Sequence, residues 1–204
     1  MGRRELAERL DLVIEFLIAK GMTRLVIGCN AASTAIADLA DHGIRVDGVI
    51  EPAVAAVTKL NPKDLGVIGG RRTIVSGVYR RAFKERGFNI KQRIAQPLSG
   101  LIESGDTSSE TLRAQAKRIL YPLQNCSHIL LACTHYPAIE PVLRDFVSPN
   151  TKFIDPAAAV VHRLGTTSGS GVDRFFTTGD PVQMKRSARL AFSVDIEGIE
   201  RVNL

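Results

Sequence analysis

Residues 129–137 read Ile-Leu-Leu-Ala-Cys-Thr-His-Tyr-Pro, an apolar run that ends at Cys133 and is closed by Pro137. Such a run is typical of a buried strand, which would carry the thiol at its carboxyl end. Residues 25–30 repeat the pattern, with Leu-Val-Ile-Gly-Cys-Asn leading to Cys29. Ligands of open α/β sheets bind outside the carboxyl ends of the strands. The two stretches therefore predict that Cys29 and Cys133 face each other across one cleft.

Strand and helix patterns alternate along the rest of the chain. The predicted strands are 25–29, 46–50, 65–68, 89–95, 127–132, 152–154 and 174–178. The predicted helices are 5–20, 34–41, 53–60, 74–85, 97–103, 109–124, 137–146, 157–164 and 182–192. Residues 165–171, rich in Gly, Ser and Thr, predict a loop. This alternation predicts an α/β fold with mostly parallel sheets and helices on both faces, built from two similar halves.

Composition and charge narrow the class of protein. The 204 residues are 45% hydrophobic and 24% charged, as in an ordinary globular protein. No apolar run is long enough to span a bilayer and the start is not a signal peptide, so we expect a cytoplasmic protein without a membrane partner. Three cysteines indicate free thiols. The net charge of +6 is dispersed, which argues against nucleic acid as the primary partner and could help attract a small anionic substrate.

The contexts of the cysteines differ. A lone cysteine at a strand end is more often a packing residue than a catalytic one. Cys29 and Cys133 both precede small or polar residues at a strand-to-helix turn, where backbone N–H groups and the helix dipole can lower a thiol pKa from about 8.5. Cys126 has no such context and is predicted to be structural. His135, two residues after Cys133, is either a general acid or base or an ordinary loop histidine.

Metal and phosphate sites are disfavoured by spacing. Cys126-x-His128 and Cys133-x-His135 straddle an apolar strand that would separate the two pairs by about 20 Å, unlike structural zinc sites. We therefore expect no metal. Residues 66–73 lack the Gly-Lys-Ser/Thr order of a phosphate loop, so their glycines predict a strand-to-helix turn. Glu51, Glu103 and Asp106 flank predicted elements, where a carboxylate is more often a cap or a solvated group.

Residues 28–33 and 132–137 resemble the paired cysteine signatures of glutamate racemases, within the cofactor-independent aspartate/glutamate racemase superfamily. Supporting stretches along the chain are 48–52, 66–69, 76–79, 97–98, 154–155 and 177–181. His135 after Cys-Thr favours the glutamate branch, because aspartate racemases generally carry Glu there.

The resemblance implies racemisation of glutamate by two bases without any cofactor, supplying D-glutamate for peptidoglycan. One cysteine, as thiolate, would remove the α-proton while the other, as thiol, reprotonates the opposite face. For catalysis the resemblance assigns Cys29, Cys133, His135 as the helper of Cys133, and Glu103 as the acidic residue on that side. For substrate binding it assigns Asn30, Ala31, Ser33 and Thr134.

The chain also departs from the family pattern. The family's Asp-Ser-Gly turn, whose Asp assists the first cysteine, and its Pro-Tyr-Gly segment do not occur, and Ala31 replaces the usual Thr. We therefore expect two Rossmann-like lobes with the first truncated: 1–51 plus 149–204 form that lobe, and 52–148 form the second. An exposed sheet edge, together with the dimerisation that is common in the family, predicts a homodimer. The alternatives are a catalytically disabled relative that keeps an amino-acid cleft, and a racemase or isomerase of aspartate or another small acid.

Overall fold

The computed structural model describes residues 2–165 and 171–204, and every strand pairing within them is parallel. The strands are β1 Arg24–Ile27, β2 Arg45–Gly48, β3 Leu65–Gly69, β4 Ile90–Ile94, β5 His128–Ala132, β6 Lys152–Ile154, β7 Phe175–Thr177 and β8 Ile199–Arg201. The helices are α1 Arg3–Ala19, α2 Asn30–Ser33, α3 Ile50–Leu60, α4 Arg71–Ser76, α5 Val78–Lys84, α6 Gln96–Glu103, α7 Glu110–Leu120, α8 Glu140–Arg144, α9 Pro156–Leu164 and α10 Pro181–Phe192. The predicted α/β class with parallel sheets is confirmed. Of the predicted loop 165–171, residues 166–170 lie outside the described residues.

β5 lies inside a four-stranded sheet with the order β4-β3-β5-β6, here called the central sheet. Ile129 and Leu131 enter the hydrophobic cluster that includes residues of α6, α7 and α8, whereas Leu130 and Ala132 enter the cluster on the other face with residues of α3 and α5. Because helices cover both faces, every position of the strand can be apolar. This is the physical reason for the uninterrupted apolar run that leads to Cys133.

β6 corrects the predicted position of residues 149–164. The prediction placed this segment in the first lobe, but Lys152–Ile154 pairs with β5, and α9 packs against α3. After β5 the chain crosses over through α8 and returns to the neighbouring position in the same sheet, as parallel strands require. The central sheet therefore extends past the predicted limit at residue 148.

The remaining strands form two separate two-stranded sheets, β1-β2 and β7-β8, and α1 contacts both regions. Asp11 of α1 accepts hydrogen bonds from the backbone N–H of Ala40 and from the His42 ring, at 3.1 and 2.7 Å. At the other end, the ring of Phe16 meets that of Phe176 edge-on with centroids 5.1 Å apart. This half of the protein is therefore joined largely through one helix.

Two predicted helices differ from the structure. The segment predicted as helix 34–41 is a short 3₁₀ turn at Ile36–Asp38, and the helical turn lies earlier, at Asn30–Ser33, directly after Cys29. The predicted helix 74–85 is divided into α4 and α5 at Gly77, whose φ of 68° is left-handed. A right-handed helix cannot continue through that conformation.

Candidate active site

Cys133 occupies a tight turn immediately after β5. Its backbone N–H donates to Leu131 O at 2.7 Å, and its carbonyl accepts from Tyr136 N at 3.1 Å. The side chain is half-buried and packs against the hydrophobic cluster on the α6 face of the sheet. The turn therefore fixes the thiol at the carboxyl end of the strand.

The pKa of Cys133 is raised, chiefly because burial penalises the thiolate. The backbone N–H of His135 and the hydroxyl of Ser99 act in the opposite direction, while the negative charges of Cys29 and Glu103 raise the pKa further. The sequence-based expectation of a lowered pKa is wrong for this thiol, because burial outweighs the donors of the turn. Cys133 is accordingly held as a neutral thiol at neutral pH.

Cys29 follows β1, directly before α2, and its side chain is exposed. A negative charge on Cys29 is among the minor causes that raise the pKa of Cys133. The two loops are also joined directly, because Thr134 Oγ1 donates a hydrogen bond of 2.9 Å to Gly28 O. Within residues 2–165 and 171–204, no side chain hydrogen-bonds the thiol of Cys29. The two thiols thus lie in unlike surroundings.

Asn30 lies next to Cys29 and is 98% buried, since only 2% of it is exposed. Its Oδ1 accepts a 2.6 Å hydrogen bond from the hydroxyl of Tyr79, whereas its buried Nδ2 has no partner in the described structure. A buried donor without a partner is costly unless a ligand satisfies it. Tyr79 fixes the orientation of the amide, and sequence reasoning gave this tyrosine no role because nothing in the local pattern shows its distant partner.

The hydroxyls of Ser33 and Thr134, two of the residues predicted to bind substrate, are used within the protein. Ser33 Oγ donates to Ile27 O at 3.1 Å and accepts from Val49 N at 3.2 Å, so its proton joins the end of β1 to the start of α3. The Ser33 hydroxyl therefore has a structural role, and the place of Ser33 in substrate binding stays a prediction. The hydroxyl of Thr134 likewise donates its hydrogen bond to Gly28 O. Ala31 is half-buried and offers no side-chain donor.

His135 and Glu103 lie together beside Cys133. Nδ1 of His135 is 3.4 Å from Oε1 of Glu103, and the two side chains are 37% and 62% exposed. The two groups are in polar contact without a hydrogen bond, because Nδ1 has no hydrogen-bond partner in the described structure. The ring of Phe192 approaches His135 with centroids 6.3 Å apart, so α10 borders this side of the site.

The other residues considered from the sequence lie outside this arrangement. Cys126 is buried in the hydrophobic cluster, where burial raises the pKa of its thiol. Glu51 forms an ion pair with Arg163, and Asp106 accepts hydrogen bonds from Ser108 and Ser109. In the part of the chain that the structure describes, no three His, Cys, Asp or Glu side chains cluster as metal ligands would.

The protein has parallel α/β sheets, a thiol after each of two strands, and a His–Glu pair beside one of these thiols. These features define a class of protein suited to acid–base chemistry between opposed thiols. The family model for Asp/Glu/Hydantoin racemases matches residues 3–164, and the chain belongs to this family. It is 32% identical over 197 residues to a glutamate racemase of Pseudomonas paraeruginosa, covering 88% of this chain and 74% of the relative.

Solved structures agree with this assignment. The glutamate racemase isoform RacE1 of Bacillus anthracis superposes with a TM-score of 0.85 at 26% identity, covering 100% of this chain and 82% of that one. The glutamate racemase of Aquifex pyrophilus gives a TM-score of 0.76 at 26% identity, with coverages of 97% and 81%. The resemblance that the cysteine signatures indicated is therefore confirmed.

Proposed function

We propose that this protein interconverts L- and D-glutamate by proton transfer between Cys29 and Cys133. The observation that carries the proposal is the hydrogen bond from Thr134 to Gly28, which joins the two cysteine loops. The effect of Cys29 on the pKa of Cys133 agrees with it. The relatives named above, which are glutamate racemases, support glutamate as the substrate.

In this mechanism one thiolate takes the α-proton, which breaks the Cα–H bond and forms an S–H bond. The opposite thiol gives its proton to the other face of the α-carbon, which breaks its S–H bond and forms the new Cα–H bond. No proton is gained or lost overall, and the two cysteines exchange protonation states. Each enantiomer therefore requires the opposite starting state of the pair.

The electrostatic effect of Cys29 on Cys133 supports a mechanism in which only one of the two sulfurs is ionised at a time. A negative charge on Cys29 raises the pKa of Cys133, so the two groups disfavour being thiolates together. Burial already keeps Cys133 neutral. A pair with one proton is the state that two-base catalysis needs.

The remaining site residues would position the substrate and assist Cys133. The unpartnered Nδ2 of Asn30 is a donor suited to a substrate carboxylate. His135, held near Glu103, would assist proton transfer at Cys133. The proposal includes two lobes that close over the substrate, one with β1, β2, β7 and β8 and the other with the central sheet.

Deuterium incorporation at the α-carbon of D- and L-glutamate in heavy water tests the proposal. We expect exchange of both enantiomers with racemisation, and we expect Cys29→Ser and Cys133→Ser each to abolish racemisation. Cys126→Ser is the matched control, because that thiol lies in the hydrophobic cluster. A folded protein without exchange, or racemisation that survives Cys29→Ser, would refute the mechanism. The same assay with D- and L-aspartate tests the alternative substrate.

The second candidate is a catalytically disabled relative that binds an amino acid. It is favoured by the exposed Cys29, whose thiol has no hydrogen-bond partner among the described residues. Glutamate binding measured by calorimetry, in a protein that shows no α-proton exchange, would establish this candidate.

The proposal extends to the biological setting. D-Glutamate made in the cytoplasm would supply peptidoglycan, which rescue of a D-glutamate-requiring bacterium would test. None of the described helices is both long and apolar enough to cross a membrane. A homodimer is also proposed, and light scattering would measure it.

A further inference from the structure

Ser99 lies beside Cys133, although sequence reasoning gave it no role. It belongs to α6, is 5% exposed, and its Oγ is 3.7 Å from Cys133 Sγ. The same oxygen is 3.4 Å from the hydroxyl of Tyr136, which donates to Ala95 O at 2.9 Å. A hydrogen-bonded chain therefore runs from the thiol through Ser99 and Tyr136 to the backbone.

The number of protons in this chain restricts its arrangement. Tyr136 uses its single proton for Ala95 O, so toward Ser99 it can only accept. Ser99 also has one proton, which can point to Tyr136 or to Cys133 but not to both. When Cys133 is a thiol, its S–H can donate to Ser99 Oγ while Ser99 donates to Tyr136. When Cys133 is a thiolate, it can only accept, and the Ser99 proton must turn toward it.

We propose that Ser99 is a positioning residue whose hydroxyl follows the protonation state of Cys133, accepting from the thiol and donating to the thiolate. Rotation about one C–O bond is sufficient, and Ser99 exchanges no proton with the substrate. Its use in turnover rests on the proposed racemase function, since a two-base racemase passes Cys133 through both states. A rotating hydroxyl suits this task better than a fixed donor, which would favour only the thiolate.

Among the described residues, the other ionisable groups around Cys133 are Cys29, Glu103, His135 and Tyr136. The charges on Cys29 and Glu103 oppose ionisation of Cys133, and Glu103 lies four residues after Ser99 on the same face of α6. Ser99 and the backbone N–H of His135 are the donors that oppose this effect. Removing the Ser99 hydroxyl should therefore make the thiolate harder to form.

The test is the pH dependence of Cys133 alkylation by iodoacetamide, with mass spectrometry of the peptide that contains Cys133. Ser99→Ala is expected to raise the midpoint by about one pH unit, since it removes one hydrogen bond to a charged group. Ser99→Thr, which restores a hydroxyl, should return most of the shift. Ser104→Ala is the matched control, because Ser104 follows the same helix and its hydroxyl bonds to Leu101 O. That variant should leave the midpoint unchanged.

Tyr136→Phe should shift the alkylation midpoint in the opposite direction, which general loosening of the core would not do. It removes the competing acceptor for the Ser99 proton, destabilises the thiol arrangement and should lower the midpoint. Opposite shifts in Ser99→Ala and Tyr136→Phe, with thermal unfolding showing that both are folded, support the proposal. An unchanged midpoint in Ser99→Ala, no recovery in Ser99→Thr, or an upward shift in Tyr136→Phe would overturn it.

Alkylation does not require turnover, so the two proposals can fail separately. If the opposite shifts are seen in a protein without α-proton exchange, the racemase function fails and the role of Ser99 stands. If racemisation depends on both cysteines while Ser99→Ala leaves the midpoint unchanged, the role of Ser99 fails and the racemase function stands.

Discussion

The hydrogen bond from Thr134 to Gly28 should govern how closely the two cysteine loops approach. It joins the loop after β5 to the loop after β1 at 2.9 Å, between neutral groups. Thr134→Val keeps the shape of the side chain and removes the donor. A neutral hydrogen bond of this kind contributes about 1 kcal/mol net. That energy corresponds to roughly a fivefold change in the equilibrium between joined and separated loops.

The assay is the rate at which a short bifunctional thiol reagent cross-links Cys29 to Cys133 after it has reacted with one of them. We expect about a fivefold slower second step in Thr134→Val. Thr134→Ser retains the hydroxyl and serves as the control, so its rate should match that of the unaltered protein. Equal rates in the Val and Ser variants would refute the idea that this hydrogen bond holds the loops together. Cross-linking is independent of substrate, so a direct role of Thr134 in binding cannot mimic the result.

Two further predictions concern stability. Leu130→Ala should lower the free energy of unfolding by about 3 kcal/mol, because the side chain is fully buried in β5 between helices. Urea unfolding measures this change. The control is Leu12→Ala, at a 48% exposed position, which should lower the free energy of unfolding far less. Burial raises the pKa of Cys133, so the folded state keeps a proton that the unfolded thiol releases near pH 8.5. The free energy of unfolding should therefore decrease as pH rises from about 8.5 through the raised pKa, and a Cys133→Ala variant with an unchanged pH slope would contradict this assignment.

The central sheet could be predicted well because burial on both faces leaves a simple pattern. β3 and β5 are buried along nearly their whole length, and their residues form the apolar runs from which strands were predicted. The position of Cys133 followed directly, since it ends such a run, whereas Cys29 ends the apolar run of β1, which is partly exposed. Patterns of this kind depend only on which faces of a strand meet solvent.

The details of the site depended on contacts between distant residues, which a local pattern does not contain. The hydroxyl of Ser33 meets Val49, and the amide of Asn30 meets Tyr79. The direction of the Cys133 pKa shift was mispredicted because burial by α6 and its neighbours outweighs the local turn. β8 was missed because two of its three residues, Glu200 and Arg201, are charged, so no apolar run marks the strand. β6 was assigned to the wrong sheet because strand order is a tertiary property.

The division of β1-β2 and β7-β8 into two small sheets has a consequence for the cooperativity of the protein. Two-stranded sheets are marginal by themselves, so this region can open at a lower free energy than the central sheet. Cys29 belongs to the weaker cooperative unit and Cys133 to the stronger one. A ligand that bridges both cysteine loops would therefore spend part of its binding energy on ordering the weaker unit, and its observed affinity would report that local stability as well as its own contacts.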